Sequence, residues 1–260
     1  MPLTPFQSEV LRVIAANRKM ESHIAGGIAL NADPTSARLS NDIDIFHDEI
    51  AAVAIASEAD LLSLRSAGYS VERLVWQDTF RRASVERDGG SVKIDWAHDS
   101  AWRFFPVESD PILVWRLHRF DALANKTLAM SARNETRDLV DLVSNQQVMP
   151  LHAVVWGACS KDPGFTPALL LELMRRNAKI DPDALTDMCV MMTPVELKLK
   201  WLKLAEETEI EITRAAKDGT EIGVVFLASD GSVKWFDTPG ATIHRAALGG
   251  VIPRLGGVYY

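Results

Sequence analysis

Asp42-Ile43-Asp44-Ile45-Phe46 constrains the fold of this chain more than any other stretch, because apolar and acidic residues alternate in it with the period of a β-strand. A strand here turns Ile43 and Ile45 to one face and both aspartates to the other. That second face is doubly negative: two carboxylates roughly 5 to 6 Å apart repel by about 3 kcal/mol at an effective dielectric near 20. Two kinds of partner offset the repulsion. One is an Arg or Lys side chain; the other is a hard divalent cation such as magnesium, which prefers one or two carboxylates together with waters and phosphate oxygens. The bland alternative is a pair of exposed acids that discourage aggregation of an edge strand. Two further features favour a site. Gly26-Gly27 form a flexible pair upstream, and Ser91-Val92-Lys93-Ile94-Asp95-Trp96 reads as a second strand after the turn Asp88-Gly89-Gly90, able to set Asp95 beside Asp42 and Asp44.

With 260 residues, 47% of them hydrophobic, the chain can build one large domain or two small ones. No apolar run approaches the roughly 20 residues that span a bilayer, and Met1 to Glu9 lacks the layout of a secretory signal, so the expectation is a soluble, cytoplasmic protein with no membrane partner. A net charge of -7 argues against indiscriminate nucleic-acid binding but leaves local basic clusters: Arg81, Arg82 and Arg87; Arg116, Arg119 and Lys126; Arg133 and Arg137. Cys159 and Cys189, alone in apolar surroundings, are expected to be buried free thiols. Two His-Asp pairs, His47-Asp48 and His98-Asp99, suggest a competing metal site of phosphohydrolase type. Both directly follow expected strands, where turn or cap duty is commoner, so that reading is set aside.

Periodicity predicts a helix over 7–20 after Thr4-Pro5, a short helix over 28–31 broken at Asp33-Pro34-Thr35-Ser36, a helix over 50–67 closed by Gly68, and strands over 71–77 and 80–87. From Pro111 the pattern turns helical, over 112–132, 135–145, 150–159, 166–176, 182–189 and 194–207. A hairpin around Asp230-Gly231 follows, and then a glycine-rich tail with no assigned role that ends in Val258-Tyr259-Tyr260. The organisation expected is α+β: a sheet domain at 1–108, a helical domain at 109–207 and a small β-rich tail at 208–260.

The order of a glycine pair, an Asp-x-Asp strand and a later Asp on a neighbouring strand resembles the nucleotidyltransferase superfamily that includes DNA polymerase beta. Gly26, Gly27, Asp42, Asp44 and Asp95 carry the likeness. Gly27 stands where many members have a phosphate-binding Ser, and the gap to Asp42 is at the long end. Within the superfamily, Gly26-Gly27 with Ala29-Leu30, then Arg38, Ser40, Asp42, Asp44 and Phe46, resembles the AbiEii/AbiGii toxin group. So does the block of Asp121 to Lys126, Ala129, Arg133, Arg137-Asp138 and Asp141-Leu142. The likeness spans about residues 20 to 145.

The resemblance implies a nucleotidyltransferase-type mixed sheet with flanking helices. It also implies magnesium-dependent transfer of a nucleoside monophosphate from an NTP with loss of pyrophosphate. Asp42, Asp44 and Asp95 would ligate magnesium, with Asp95 orienting or deprotonating the attacking hydroxyl, and backbone N–H groups at Gly26 and Gly27 would approach the phosphates. Lys126 would contact nucleotide phosphates and Asp138 would assist catalysis, while Asp141 reads as structural. Arg38 and Ser40 suit either phosphate oxygens or an ordinary polar loop. Lys126 and Arg133, seven apart, would share one cationic face of a continuous helix with Arg137 beyond, unless they are salt-bridged to Asp121 and Glu135. Members of the toxin group act beside a cognate antitoxin and some modify tRNA acceptor ends, which makes an NTP, a tRNA end and an antitoxin the expected partners. A small-molecule acceptor, as in antibiotic-modifying relatives, and a catalytically silent fold serving as an interaction module are the alternatives.

Overall fold

The computed structural model describes residues 3–31, 36 and 38–253. The expected helix break at Asp33-Pro34-Thr35 and the closing Val258-Tyr259-Tyr260 lie outside them. The chain divides into two compact units, Met1–Ala101 with Val107–Ala122, and Trp102–Pro106 with Leu123–Tyr260.

In the first unit, α1 (Pro5–Ile14) starts at a reciprocal cap. The Thr4 hydroxyl accepts from the Gln7 N–H at 3.0 Å, Gln7 Oε1 accepts from the Thr4 N–H at 2.9 Å, and Pro5 takes the first helical position. The helix ends short of the predicted 7–20 span, in one 3-10 turn at Ala15–Asn17, because the next polar side chains turn inward. Arg18 Nη2 donates to both Asp60 oxygens at 2.6 and 2.5 Å, and Asp60 also accepts from Trp96 Nε1 at 2.7 Å and Asn17 Nδ2 at 2.9 Å.

The elements that follow are β1 (Ser22–Ile24), α2 (Gly26–Asn31), β2 (Asp42–His47), α3 (Ile50–Ser66), β3 (Ser70–Trp76), β4 (Phe80–Arg87) and β5 (Gly90–His98). After β6 (Trp102–Arg103), which belongs to the second unit, come β7 (Glu108–Asp110) and β8 (Val114–Arg116). The sheet order is β3-β4-β5-β2-β1-β8-β7, with β2 parallel to β5 and β1 parallel to β8. Ile43, Ile45, Ile94, Trp96, Ala83 and Val85 pack into one buried cluster with Val10 and Ile14 of α1 and Val53, Leu61 and Leu64 of α3. Each large aliphatic side chain so buried contributes about 1.5–3 kcal/mol. The β4–β5 hairpin turns at Asp88 and Gly89, both left-handed at φ +51° and +81°, the mirror-image turn that matches strand twist.

Several short strands depart from the sequence reading, β1 and β8 most informatively. β1 was not expected; its three residues are too short to show a period. Residues 112–118, predicted as the start of a long helix, are not helical and instead carry the short β8 at Val114–Arg116. Asp110 Oδ1 accepts from the N–H groups of Ile112 and Leu113 at 2.8 and 2.9 Å, Val114 takes φ +66°, and the open edge of β1 pairs Ile24 with Arg116. Helix begins only at α4 (Arg119–Ala132), within which the division between units falls.

The second unit continues with α5 (Thr136–Asn145), α6 (Leu151–Ala158), α7 (Pro167–Asn177), α8 (Pro182–Asp187) and α9 (Pro194–Lys217). α9 packs against α5, α6 and α7 and buries Leu197, Trp201, Leu204, Thr208, Ile212 and Ala215. It outruns the predicted end at 207 because that buried period continues through its second half. The predicted hairpin is present as β9 (Val224–Leu227) and β10 (Val233–Lys234), and β11 (Thr242–Arg245) adds an unpredicted third strand on β9; β12 (Ala247–Leu248) pairs with β6. The architecture is α+β, as expected. Cys159 is buried, and burial pushes its thiol up to about 12. Cys189, expected to be buried, is exposed, because α8 ends before it and it sits in a left-handed turn at φ +54°. Among the described residues no helix is long and apolar enough to cross a membrane.

Two stability predictions follow from the first unit. Asp60→Ala leaves the Arg18 guanidinium buried without its carboxylate and should cost about 3–5 kcal/mol in urea unfolding. His47, at the end of β2 beside His98, is fully buried, and among the described residues neither ring nitrogen finds a partner. Burial above all, then the nearby Arg18 and His98 charges, lower its pKa from 6.5 to about 3. The folded state therefore excludes a proton that the unfolded chain takes up, so stability is full above about pH 6.5 and falls as pH drops toward 3. The urea midpoint should decline with acidification across that window, and His47→Leu should flatten the decline.

Candidate active site

The alternation in β2 delivers the predicted faces. Ile43 and Ile45 are fully buried, whereas Asp42 and Asp44 are half-buried on the opposite side. The parallel register with β5 pairs Asp42 with Lys93 and Asp44 with Asp95, so Asp44 and Asp95 are neighbours on one sheet face. β4 runs antiparallel on the far side of β5 and sets Arg82 opposite Asp95. The Arg82 fork grips that carboxylate, Nε to Oδ1 at 2.7 Å and Nη2 to Oδ2 at 2.5 Å. These hydrogen bonds, with the fields of Asp95, Asp42 and Asp44, outweigh partial burial and raise the Arg82 pKa above its ordinary value. A protein cation is thus one partner that offsets the crowded carboxylates. Sequence reasoning grouped Arg82 only with Arg81 and Arg87. Its face parity in β4 was a visible signal, but the residue opposite it depends on the hairpin register.

Gly26 opens α2 at φ +59°, and a Cβ there would stand 1.8 Å from Asp44 Oδ2, so the carboxylate lies directly against the glycine backbone. Backbone pairing holds the two segments together, with the Ala25 N–H donating to the Asp44 carbonyl at 2.9 Å. A Cβ on Gly27 would stand 2.6 Å from both Arg38 Nη2 and Ser40 Oγ. Arg38 and Ser40 are themselves buried; Arg38 Nη1 donates to the Leu39 carbonyl at 2.7 Å, and Gln7 Nε2 donates to the Ser40 carbonyl at 2.5 Å. Gly26, Gly27, Arg38, Ser40, Asp44 and Asp95 therefore belong to one neighbourhood of the first unit.

The remaining predicted residues lie in the second unit and do not form a continuous cationic helix face. α4 ends at Ala132, and Lys126 and Arg133 converge on Asp138 instead. Lys126 Nζ donates to Asp138 Oδ1 at 2.8 Å and stands 3.2 Å from Asp141 Oδ2, while Arg133 Nε donates to Asp138 Oδ2 at 3.0 Å. Burial alone would raise the Asp138 pKa; Lys126 and Arg133 together outweigh it and hold the carboxyl below its usual range. Arg137 lies 3.7 Å from Glu135. Asp141, read as structural, joins this buried cluster.

Asp42 and Asp44 present hard carboxylate oxygens from one strand face, the donor chemistry that suits magnesium. Asp95 is engaged through both oxygens by Arg82, and among the described residues no group of three His, Cys, Asp or Glu side chains stands arranged to hold an ion. The donor set therefore fits a divalent cation at Asp42 and Asp44, with Asp95 tied to Arg82.

No family model matches the chain. No curated protein matches its sequence. Solved structures do match its fold. JHP933 from Helicobacter pylori aligns with a TM-score of 0.53 over 81% of this chain and 93% of its own length, at 18% identity. A candidate nucleotidyltransferase from H. pylori gives 0.54 over 84% of this chain and its whole length, at 17% identity. MenT4, a nucleotidyltransferase toxin from Mycobacterium tuberculosis, gives 0.46 over 76% of this chain and 91% of its own, at 16% identity. The fold is of the nucleotidyltransferase type.

Gly26→Ala should lower stability by about 1–3 kcal/mol in urea unfolding, because a left-handed backbone and the Asp44 carboxylate both oppose the new methyl group. An equal change at Gly89, left-handed but with open space around it, should stay at the lower end of that range.

Proposed function

On the premise of a nucleotidyltransferase-type fold, we propose that this protein is a magnesium-dependent enzyme that transfers a nucleoside monophosphate from an NTP to an acceptor hydroxyl. The observation that carries the reading is the meeting of Gly26, Asp44, Asp95 and Arg82 on one sheet face. In the reaction the acceptor oxygen bonds to the α-phosphorus, the bond from that phosphorus to the β-phosphate bridge breaks, and pyrophosphate leaves. Asp42 and Asp44 would hold the metal, which would supply neutralisation of charge on the triphosphate. Asp95, oriented by the Arg82 fork, receives or directs the hydroxyl proton. In this reading the backbone N–H groups at Gly26 and Gly27 approach the phosphate oxygens, and the Arg38 guanidinium and Ser40 hydroxyl, which pack against Gly27, line the same turn. The roles the resemblance implies for Lys126 in phosphate contact and Asp138 in catalysis belong to the same reading, with Arg133 and Arg137 beside them.

The acceptor we favour is a tRNA end, with a cognate antitoxin as the protein partner; the support is the residue block shared with the AbiEii-like group. A silent fold is the second reading, and the observation that favours it is the Arg82 fork on both oxygens of Asp95. Label from each α-labelled NTP, supplied with magnesium, should pass to a tRNA-sized band in total RNA, and Asp42→Ala/Asp44→Ala should reduce it by roughly 100-fold or more. Folded wild-type protein that labels neither RNA nor protein would remove the toxin reading and leave a small-molecule acceptor or the silent fold.

A further inference from the structure

α9 has two apolar faces. One is buried against α5, α6 and α7. The other carries Val195, Leu199, Leu202 and Ile210, which are 67%, 62%, 52% and 60% exposed. At about 100° per residue these four fall within an arc of roughly 80°, on the side of the helix away from Leu197, Leu204 and Ala215. A surface helix normally turns charge outward there; here, from Val195 to Ile210, only Glu206 carries charge within the arc, between Leu202 and Ile210, and an exposed apolar strip of this kind marks an interaction surface. At its amino-terminal end the strip runs into an apolar groove of about 430 Å³, where Ala178, Ile180 and Pro194 line the wall beside Val195 and Leu199.

Charge along the same helix is sorted by length. Its first half carries Lys198, Lys200 and Lys203 against Glu196, and its second carries Glu206, Glu207, Glu209 and Glu211 against Arg214 and Lys217, so the two halves are oppositely charged on balance. An acidic helix from another protein would suit only the lysine half, and a basic one only the glutamate half. A second copy laid antiparallel suits both. A two-fold axis between Leu204 and Ala205 brings Leu199 opposite Ile210 and Lys203 opposite Glu206, with Lys198 beside Glu209. Within the chain, Lys203 lies 3.7 Å from Glu207 and Arg175 lies 2.8 Å from Glu209; both are exposed pairs of small net worth that leave the charged ends accessible. We propose that the exposed stripe of α9 is a homodimer contact in which two copies of this chain pack α9 antiparallel across a two-fold axis, each basic half against the partner's acidic half.

α9 is 24 residues, about 36 Å, so a contact made by this helix alone is smaller than a standard interface and the dimer is a weak, concentration-dependent one. Sedimentation velocity of the full chain should show mass rising with concentration from 28.7 kDa toward twice that value, less so at high salt. Leu202→Glu should hold the chain monomeric with an unchanged circular dichroism spectrum and melting temperature. Lys203→Glu and Glu206→Lys should each weaken self-association about tenfold by facing like charges, and an equimolar mixture of the two variants should recover wild-type mass because every cross-pair is again opposite. A monomer at every concentration, a dimer indifferent to Leu202→Glu, or no recovery on mixing would overturn the proposal and give the stripe to a different partner.

Discussion

Parallel pairing of β2 with β5 is the constraint on which the first unit depends. It buries Ile43 and Ile45 beside Ile94 and Trp96, and the same register necessarily sets Asp44 against Asp95 on the other face. A slip of one residue would relieve the carboxylates only by turning them into the core, an exchange the hydrophobic face forbids. The negative face is therefore a consequence of correct packing, and it persists because the β4–β5 hairpin, closed by Asp88 and Gly89, brings Arg82 to Asp95 from the other side. Gly26 completes the arrangement by having no side chain where the Asp44 carboxylate lies.

Elsewhere charge is buried in matched groups. Arg18 and Asp60 sit beneath the sheet with Trp96 and Asn17 satisfying the remaining oxygen valences, and they fix where α1 stops. In the second unit Lys126 and Arg133 share Asp138, with Asp141 close to Lys126. Desolvation opposes much of the attraction within such groups, so their net contribution to stability is small even though removal of one partner is costly. The sheet face of β2 differs in kind: Asp42 and Asp44 are only half-buried there, beside the fork that joins Arg82 to Asp95.

Much of this was legible in the residues. Alternation marked β2, β4 and β5, Asp88-Gly89-Gly90 marked the hairpin between the last two, and helical periods marked α7 and the first half of α9. Gly26 and Gly27 with Asp42, Asp44 and Asp95 were recognisable as a set because their spacing follows a known order. Among what escaped, three cases show why. β1 is too short to display a period. β8 carries a run that a helix and a strand fit equally, and the open edge of β1 made the choice. The face shared by Lys126 and Arg133 assumed a helix that ends at Ala132, one residue before Arg133, so the cations turned to Asp138 rather than to solvent.

The sequence by itself determined which side chains are apolar on which face of each long element, and hence the α+β class and the presence of paired carboxylates, because period follows from local backbone geometry. Only the tertiary structure decided that Arg82 answers Asp95, that Asp44 rests on Gly26, and that Arg18 and Lys126 are held by buried acids. Those contacts join residues far apart in the chain, and their register is set by packing that no local pattern encodes.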